Sequence, residues 1–426
     1  MSGIVENNIL RSSGTIAVSA AGLNWVDTII TGSTATVEAG NGYWVNTTSN
    51  TCTITLPSSA EKGDQIVIID YARTWGTNKI IIDSNGLNYQ GNPDNYTVEY
   101  TTDGQSVNIV YSDATKGWIP LEDDVTALEP VAPRTQKGLF AFGFIDGSSA
   151  RTNVSNKVSS SGVVATDTSG VGTARSSPAA ASYGGDKAIF GFGYSGSVTG
   201  ITNLVNNSGT VASDTSGVGT ARQGLAAASY GTDKGIFGYG RLANGSTSNL
   251  SNLVSNSGVV ASDVSGVGSA RYNLAAAGYG TDKAIFAYGF TGGRVSMSNL
   301  VNNQGVIASD VSGVGTARDR TAASSFGSSG QAIFGYGTDG SNNVSVTNKV
   351  SNSGVVASDT SGVGTARTVL AACGYGGDKG IFGYGYTDTD LSLTNLISNT
   401  GVVAADVTGV GTARGNLAAA GYSYSA

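Results

Sequence analysis

Histidine is absent from all 426 residues, and from residue 137 onward the chain also lacks glutamate and tryptophan. Zinc and copper enzymes draw on imidazole or on clustered thiolates. The two cysteines, Cys52 and Cys373, are far apart and supply neither, so no metal or cofactor site is expected. They also define no disulfide framework, as suits folding in a reducing cytoplasm. Basic residues are few: 23 Lys and Arg against 30 Asp and Glu give a net charge of -7. Such a chain has no basic face for a phosphate backbone, and no nucleic-acid partner is expected. No apolar run reaches membrane-spanning length, and no basic segment followed by an apolar stretch opens the chain at Met1, so neither membrane insertion nor a secretory signal is expected.

Glycine, by contrast, occurs 63 times, twelve of them in one recurring hexapeptide. Gly-Val-Gly-(Thr/Ser)-Ala-Arg begins at Gly170, Gly217, Gly266, Gly313, Gly362 and Gly409, with spacings of 47 or 49 residues. That period marks propellers and other repeat arrays. The hexapeptide has no following Lys-Ser/Thr, so it is not a phosphate loop. Its glycines instead let the chain cross tightly from one unit to the next.

Within a unit, four short extended segments alternate with turn chemistry. After Arg222 come Leu225–Tyr230, the turn Gly-Thr-Asp-Lys234, the apolar run to Tyr239, a loose polar stretch, Ser251–Val254, the turn Asn256-Ser-Gly258, and Val259–Asp263. Gly and Asn tolerate the positive φ that such turns demand. Four strands per unit predict a blade, and six units predict an all-β, six-bladed propeller over residues 137–426. The first unit lacks its small-residue strand, while one such strand, Leu417–Tyr422, follows the last hexapeptide. Pairing the two completes the sixth blade and removes two exposed edges.

The order of arginine, small-residue strand, apolar strand ending in glycines and aspartate-bearing strand resembles kelch-type propellers. This chain departs from them in having Gly-(Tyr/Phe)-Gly or a variant in place of adjacent glycines, and no tryptophan in the array.

Ahead of the repeats, residues 1–20 read as a flexible or docking segment and residues 21–120 as a β-sandwich or prism-like domain. Residues 121–136 form an acidic, Pro-containing linker. All four tryptophans, Trp25, Trp44, Trp75 and Trp118, fall in the first domain, where core and interface packing is their expected role. The series Thr53–Pro57, Gly63–Asp70, Thr77–Asp83 and Gly104–Tyr111, closed by Gly117-Trp118, resembles a β module of bacteriophage tail fibres and other virion proteins. The repeats resemble those of tail-fibre-type proteins of marine phages, particularly cyanophages. These resemblances imply a virion protein, made in the host cytoplasm, that docks to other virion proteins through its N-terminal domain. The propeller would then engage a host cell-surface glycan or protein. Fibre proteins of this kind are often homotrimers, though no heptad run here encodes one. A capsid or tail decoration that binds other particle proteins is the alternative, and an aspartate-based glycan-cleaving enzyme a weaker one. No catalytic residue is expected.

Two sets of repeat residues have different expected roles. Asp167, Asp214, Asp263, Asp310, Asp359 and Asp406 each precede an arginine by eight residues, those arginines being Arg175, Arg222, Arg271, Arg318, Arg367 and Arg414. Because they recur in every unit they read as structural, the aspartates accepting from the turn that follows or pairing with a repeat arginine. Asn156, Asn203, Asn252, Asn299, Asn348 and Asn395 read the same way. The loops after the second strand and the residues just after each arginine differ from unit to unit, and strand parity puts both on one face. Arg151, Tyr194, Arg241, Tyr272, Phe290, Arg294, Arg320, Tyr386, Asp388 and Asp390 are its candidate binding residues.

Overall fold

The computed structural model describes residues 23–94, 98–121 and 135–425; residues 1–20 and almost all of the 121–136 linker lie outside these. The chain divides into two compact units, residues 1–133 and 134–426, both built of strands.

Among the described residues the first unit holds nine strands: β1 Asn24–Trp25, β2 Thr34–Thr36, β3 Asn41–Val45, β4 Cys52–Thr55, β5 Gln65–Asp70, β6 Ile80–Asp83, β7 Val98–Tyr100, β8 Ser106–Tyr111 and β9 Trp118–Pro120. They form two sheets, β1-β3-β5-β8-β9 and β2-β4-β6-β7. From β2 to β6 the chain alternates between the sheets, and within each sheet β1, β3, β5 and β2, β4, β6 are parallel. A parallel pair needs a crossover, and here each crossover is itself a strand of the facing sheet. The inward residues Val45, Ile54, Ile66, Ile68, Ile80 and Ile109 fill one shared core, as a sandwich requires. Trp75 and Trp118 lie in that core, whereas Trp25 is 40% exposed and stacks on Trp44 with ring centres 4.7 Å apart.

The second unit contains six small sheets. Five are consecutive: β12 Ala179–Tyr183, β13 Lys187–Gly191 and β14 Thr202–Val205; β15 Ala226–Tyr230, β16 Lys234–Arg241 and β17 Thr247–Val254; β18 Ala275–Tyr279, β19 Lys283–Ala287 and β20 Ser298–Val301; β21 Ala322–Phe326, β22 Gln331–Gly335 and β23 Thr347–Val350; β24 Ala371–Tyr375, β25 Lys379–Tyr386 and β26 Asp390–Ile397. The sixth joins the two ends of the unit. β10 Lys137–Ile145 pairs with β11 Ala150–Val158 on one side and with β27 Ala418–Tyr422 on the other, from Lys137 opposite Tyr422 to Ala141 opposite Ala418.

Each sheet has three regular strands where the sequence predicts four. The fourth segment does lie beside the third strand, but through isolated bridges at its ends, as at Ser155↔Thr168 and Val158↔Val164. Between them the Asn156 amide turns into the gap and donates to Ala165 O at 3.1 Å and Asp167 Oδ1 at 2.8 Å. A side chain has replaced the middle of the ladder, and the equivalent asparagines do the same in the other sheets.

Small residues let the first strands approach closely, and these pack side by side in the order β12, β15, β18, β21, β24, β27 and again β12. Backbone bonds follow the same order on the side of the Lys-Asp turns. Gly184 N donates to Asp233 O, Gly231 N to Asp282 O, Gly280 N to Gly330 O, Gly327 N to Asp378 O, Gly376 N to Gln136 O, and Ser423 N to Asp186 O. Ser423 and Gln136, the end of β27 and the approach to β10, thus occupy the places that one continuous turn fills in the other sheets.

The repeat arginines, all fully buried, tie neighbouring sheets together. Arg222 donates from Nε to Tyr239 O, from Nη1 to Thr220 O and from Nη2 to Asn252 Oδ1, and its guanidinium lies 4.5 Å from the Phe192 ring of the preceding sheet. Arg414 makes the same set with Phe142 O, Thr412 O and Asn156, and stacks on Tyr384. In the sheet that Arg175 enters, its Nη2 and Asn203 Oδ1 are both left without a hydrogen-bond partner. The central aromatics of the Gly-(Tyr/Phe)-Gly motif and its variants, Phe142, Phe192, Tyr239, Tyr288, Tyr336 and Tyr384, all have φ between 61° and 66°. That left-handed backbone is rare for bulky residues. It turns each carbonyl toward one arginine while the ring lies under the next.

The repeat aspartates differ from expectation in their donors. Asp214 accepts from Thr173 N and Oγ1, in the hexapeptide 41 residues before it, rather than from the turn after it. The hexapeptide that enters a sheet lies beside the segment that leaves it, which brings the two together. The other expected partner, a repeat arginine, is present at longer range: 3.8 Å for Arg222 and Asp263, and 3.9 Å for Arg271 and Asp310 and for Arg318 and Asp359.

Candidate binding site

The second residue after each repeat arginine is left-handed in all six units: Ser177, Gly224, Asn273, Arg320, Val369 and Asn416 have φ between 50° and 59°. Turned this way, each peptide bonds to the next sheet. Ser177 N donates to Asn416 O, Asn416 N to Val369 O, Val369 N to Arg320 O, Arg320 N to Asn273 O, Asn273 N to Gly224 O, and Gly224 N to Ser177 O, at 2.7–3.2 Å. The sixth bond returns to the first residue. On one side lie the next residues in sequence, among them Leu225, Leu274, Leu370 and Leu417. On the other, a cavity of about 480 Å³ opens to solvent.

The first residue after each arginine pairs with a residue at or just beyond the end of the second strand, as in Gln223↔Arg241, Tyr272↔Phe290 and Thr368↔Tyr386. Both variable sets are therefore adjacent in space. Of the candidate residues, Arg241, Tyr272, Arg320, Tyr386 and Asp390 line the cavity. Arg151, Tyr194, Phe290, Arg294 and Asp388 do not. Arg151 stacks at 4.5 Å on Tyr194, and the Phe290 ring lies between Tyr272 and Arg294, 5.7 Å from the first and 5.8 Å from the second. Arg294 Nε donates to Asp319 Oδ1 at 2.9 Å, and Arg320 Nε lies 3.7 Å from Asp319 Oδ2.

The cavity lining carries both signs of charge. Asp146 and Asp390 stand together, with Asp146 N donating to Asp390 Oδ2 at 2.6 Å. Burial pushes the Asp390 carboxyl up; the Asp146 amide opposes this, the Asp146 carboxylate adds to it, and the net direction is upward. Arg241 ends β16, three places around the sheet order from the β24–β26 sheet that carries Asp390, whereas Arg320 precedes β21 in the sheet next to it. Among the described residues no ion pair joins these acids to these bases. Phe144 and Asp146 are lining residues that the sequence reading passed over, while Asn273 and Asn416 belong to the variable pairs after the arginines without being among the chosen candidates. Asp146 and Phe144 lie in the same variable connection as the chosen residues, and that was the signal available.

No protein-family model matches this chain, and no curated protein matches it.

Proposed function

We propose that the second unit is a six-bladed, kelch-like β-propeller and that the chain is a bacteriophage virion protein, of tail-fibre type, displaying it for recognition of the host surface. The ring is supported by the β10–β27 pairing and by two series of inter-sheet hydrogen bonds that return to their starting point. Recognition rests on one observation: a cavity whose lining differs from unit to unit sits on a frame of repeated Arg, Asn and Asp contacts. A rigid scaffold with diversified loops is the usual plan for a binding protein. The first unit docks to the particle. The absence of a role for enzyme chemistry is part of the same reading.

An architectural role in the particle is the second reading, favoured by Val163, Val259, Val306, Val355 and Val402, each at least 57% exposed at one equivalent position. Repeated exposed valine suits lateral contact with other proteins.

Labelled protein applied to whole cyanobacterial cells tests the first reading. Replacing Tyr272, Arg294 and Arg320 by alanine abolishes adsorption, whereas replacing Asp233 and Asp282 on the turn side does not. Equal loss from both sets, with folding intact, overturns the assignment of the working face. Loss of particle incorporation on Val→Ser changes at Val259 and Val355, with no adsorption by the parent protein, supports the architectural reading.

A further inference from the structure

The geometry points to the cavity beside the Ser177–Asn416 hydrogen-bonded cycle as a site for the zwitterionic end of a glycan, one carrying a free amine and a carboxylate on neighbouring sugars. This deepens the recognition reading and rests on it.

Size limits how a chain can bind. The six residues of the cycle ring one end of the cavity. A volume of about 480 Å³ is at the small end of ligand sites and suits the last one or two sugars of a chain, not a passing segment.

Charge sets the chemistry. Asp146 N donates to Asp390 Oδ2, and the Asp146 carboxylate is near enough to help raise the Asp390 carboxyl. A ligand ammonium placed there relieves their mutual repulsion and gains charge-assisted hydrogen bonds. Arg241 spends Nε on Gly245 O and stacks 5.4 Å from the Tyr272 ring, without a carboxylate partner among the described residues. Arg320 has only a 3.7 Å contact with Asp319, whose other oxygen is held by Arg294. A planar guanidinium fork matches a carboxylate well. A ligand with one charge satisfies one pair and leaves the other unmatched. Tyr272, Tyr386 and Phe144 supply ring faces, and the amides of Asn273 and Asn416 supply donors and acceptors for hydroxyls.

Calorimetric titration of the full chain with three disaccharides tests this: glucosaminyl-glucuronate, its N-acetylated form, and the form with the carboxyl reduced to an alcohol. The zwitterion is expected to bind at least tenfold more tightly than either singly charged compound. Asp390→Asn should shrink its advantage over the N-acetylated form to below threefold and leave its advantage over the reduced form. The double change Arg241→Ala and Arg320→Ala should do the reverse, and thermal melts establish that each variant is folded. Affinities within threefold of one another for all three compounds overturn the inference. So does a lack of zwitterion binding by a protein that still adsorbs to cells, which leaves the recognition reading standing. Failure to bind both cells and disaccharide removes the two together.

Discussion

Thr412 and Asp167, 245 residues apart in sequence, share three hydrogen bonds: Thr412 N reaches both carboxylate oxygens at 3.1 Å, and its hydroxyl reaches Oδ2 at 2.5 Å. Thr220 and Asp263 make the same contacts only 43 residues apart. Asp167→Asn and Asp263→Asn each remove a charged acceptor, at a cost of about 1.5–3 kcal/mol. Opening the first pair frees a far longer loop. Hydrogen exchange in β27 should therefore accelerate strongly in Asp167→Asn and little in Asp263→Asn; equal protection in both would show that the seam is no weaker than the other joints.

Removing residues 415–426 deletes β27 and takes Asn416 out of the hydrogen-bonded cycle. The expected product aggregates or melts well below the parent, because β10 is left with an open edge. A monomeric truncated chain with the parent melting temperature, measured by light scattering and calorimetry, would contradict the ring.

Arg222→Ala leaves Tyr239 O, Asn252 and the Phe192 ring without their shared partner. Its cost in denaturant unfolding should be about 3–5 kcal/mol, as for other broken buried charge networks. Lysine should not restore it, lacking the planar fork. Arg175→Ala should cost less, since Nη2 of Arg175 has no partner to lose.

The six repeat aspartates set an acid limit on stability. Burial alone raises their carboxyls, but donors such as Thr412 and Asn156 at Asp167 outweigh it, and all six are lowered. A depressed folded value means that the stabilisation is complete above the unfolded pKa of about 3.9 and is lost as pH falls through the folded values. Melting temperature should accordingly be flat near neutrality and drop below about pH 4. Replacing several of these aspartates by asparagine should lower the plateau and flatten the drop.

Val369 holds φ at 50°, where a β-branched side chain is strained. Val369→Gly should raise stability by about 1 kcal/mol through relief of that strain. Thermal melts that fall instead would show that packing of the valine outweighs its backbone.

Periodicity made most of the second unit's strand pattern legible. Strand types, turn positions and the partnership of Leu417–Tyr422 with β10 all followed from repeats at fixed spacing. The fourth segment was overcalled as a strand because Val-Val-Ala has strand composition, and composition carries no sign of an asparagine side chain replacing ladder bonds. The donors to the aspartates were misplaced for a related reason: Thr173 lies 41 residues from Asp214, and local turn chemistry offered a nearer partner. The aromatic of Gly-(Tyr/Phe)-Gly was noticed as a departure from kelch repeats, yet its left-handed backbone and double arginine contact depend on two neighbouring sheets. In the first unit, the β-type runs left a sandwich and a prism-like domain both open; the structure has two sheets around one core, and parallel pairing between every second strand has no signature in any single run.

The cycle through Ser177, Gly224, Asn273, Arg320, Val369 and Asn416 has every amide pointing the same way around. A helix aligns its peptides along an axis and ends in unsatisfied groups with opposite partial charges. Peptides laid head to tail on a circle have no terminus, and their in-plane moments cancel. This end of the cavity is therefore polar in its atoms yet contributes little net field, which leaves Asp146, Asp390, Arg241 and Arg320 to set the potential that an incoming ligand meets.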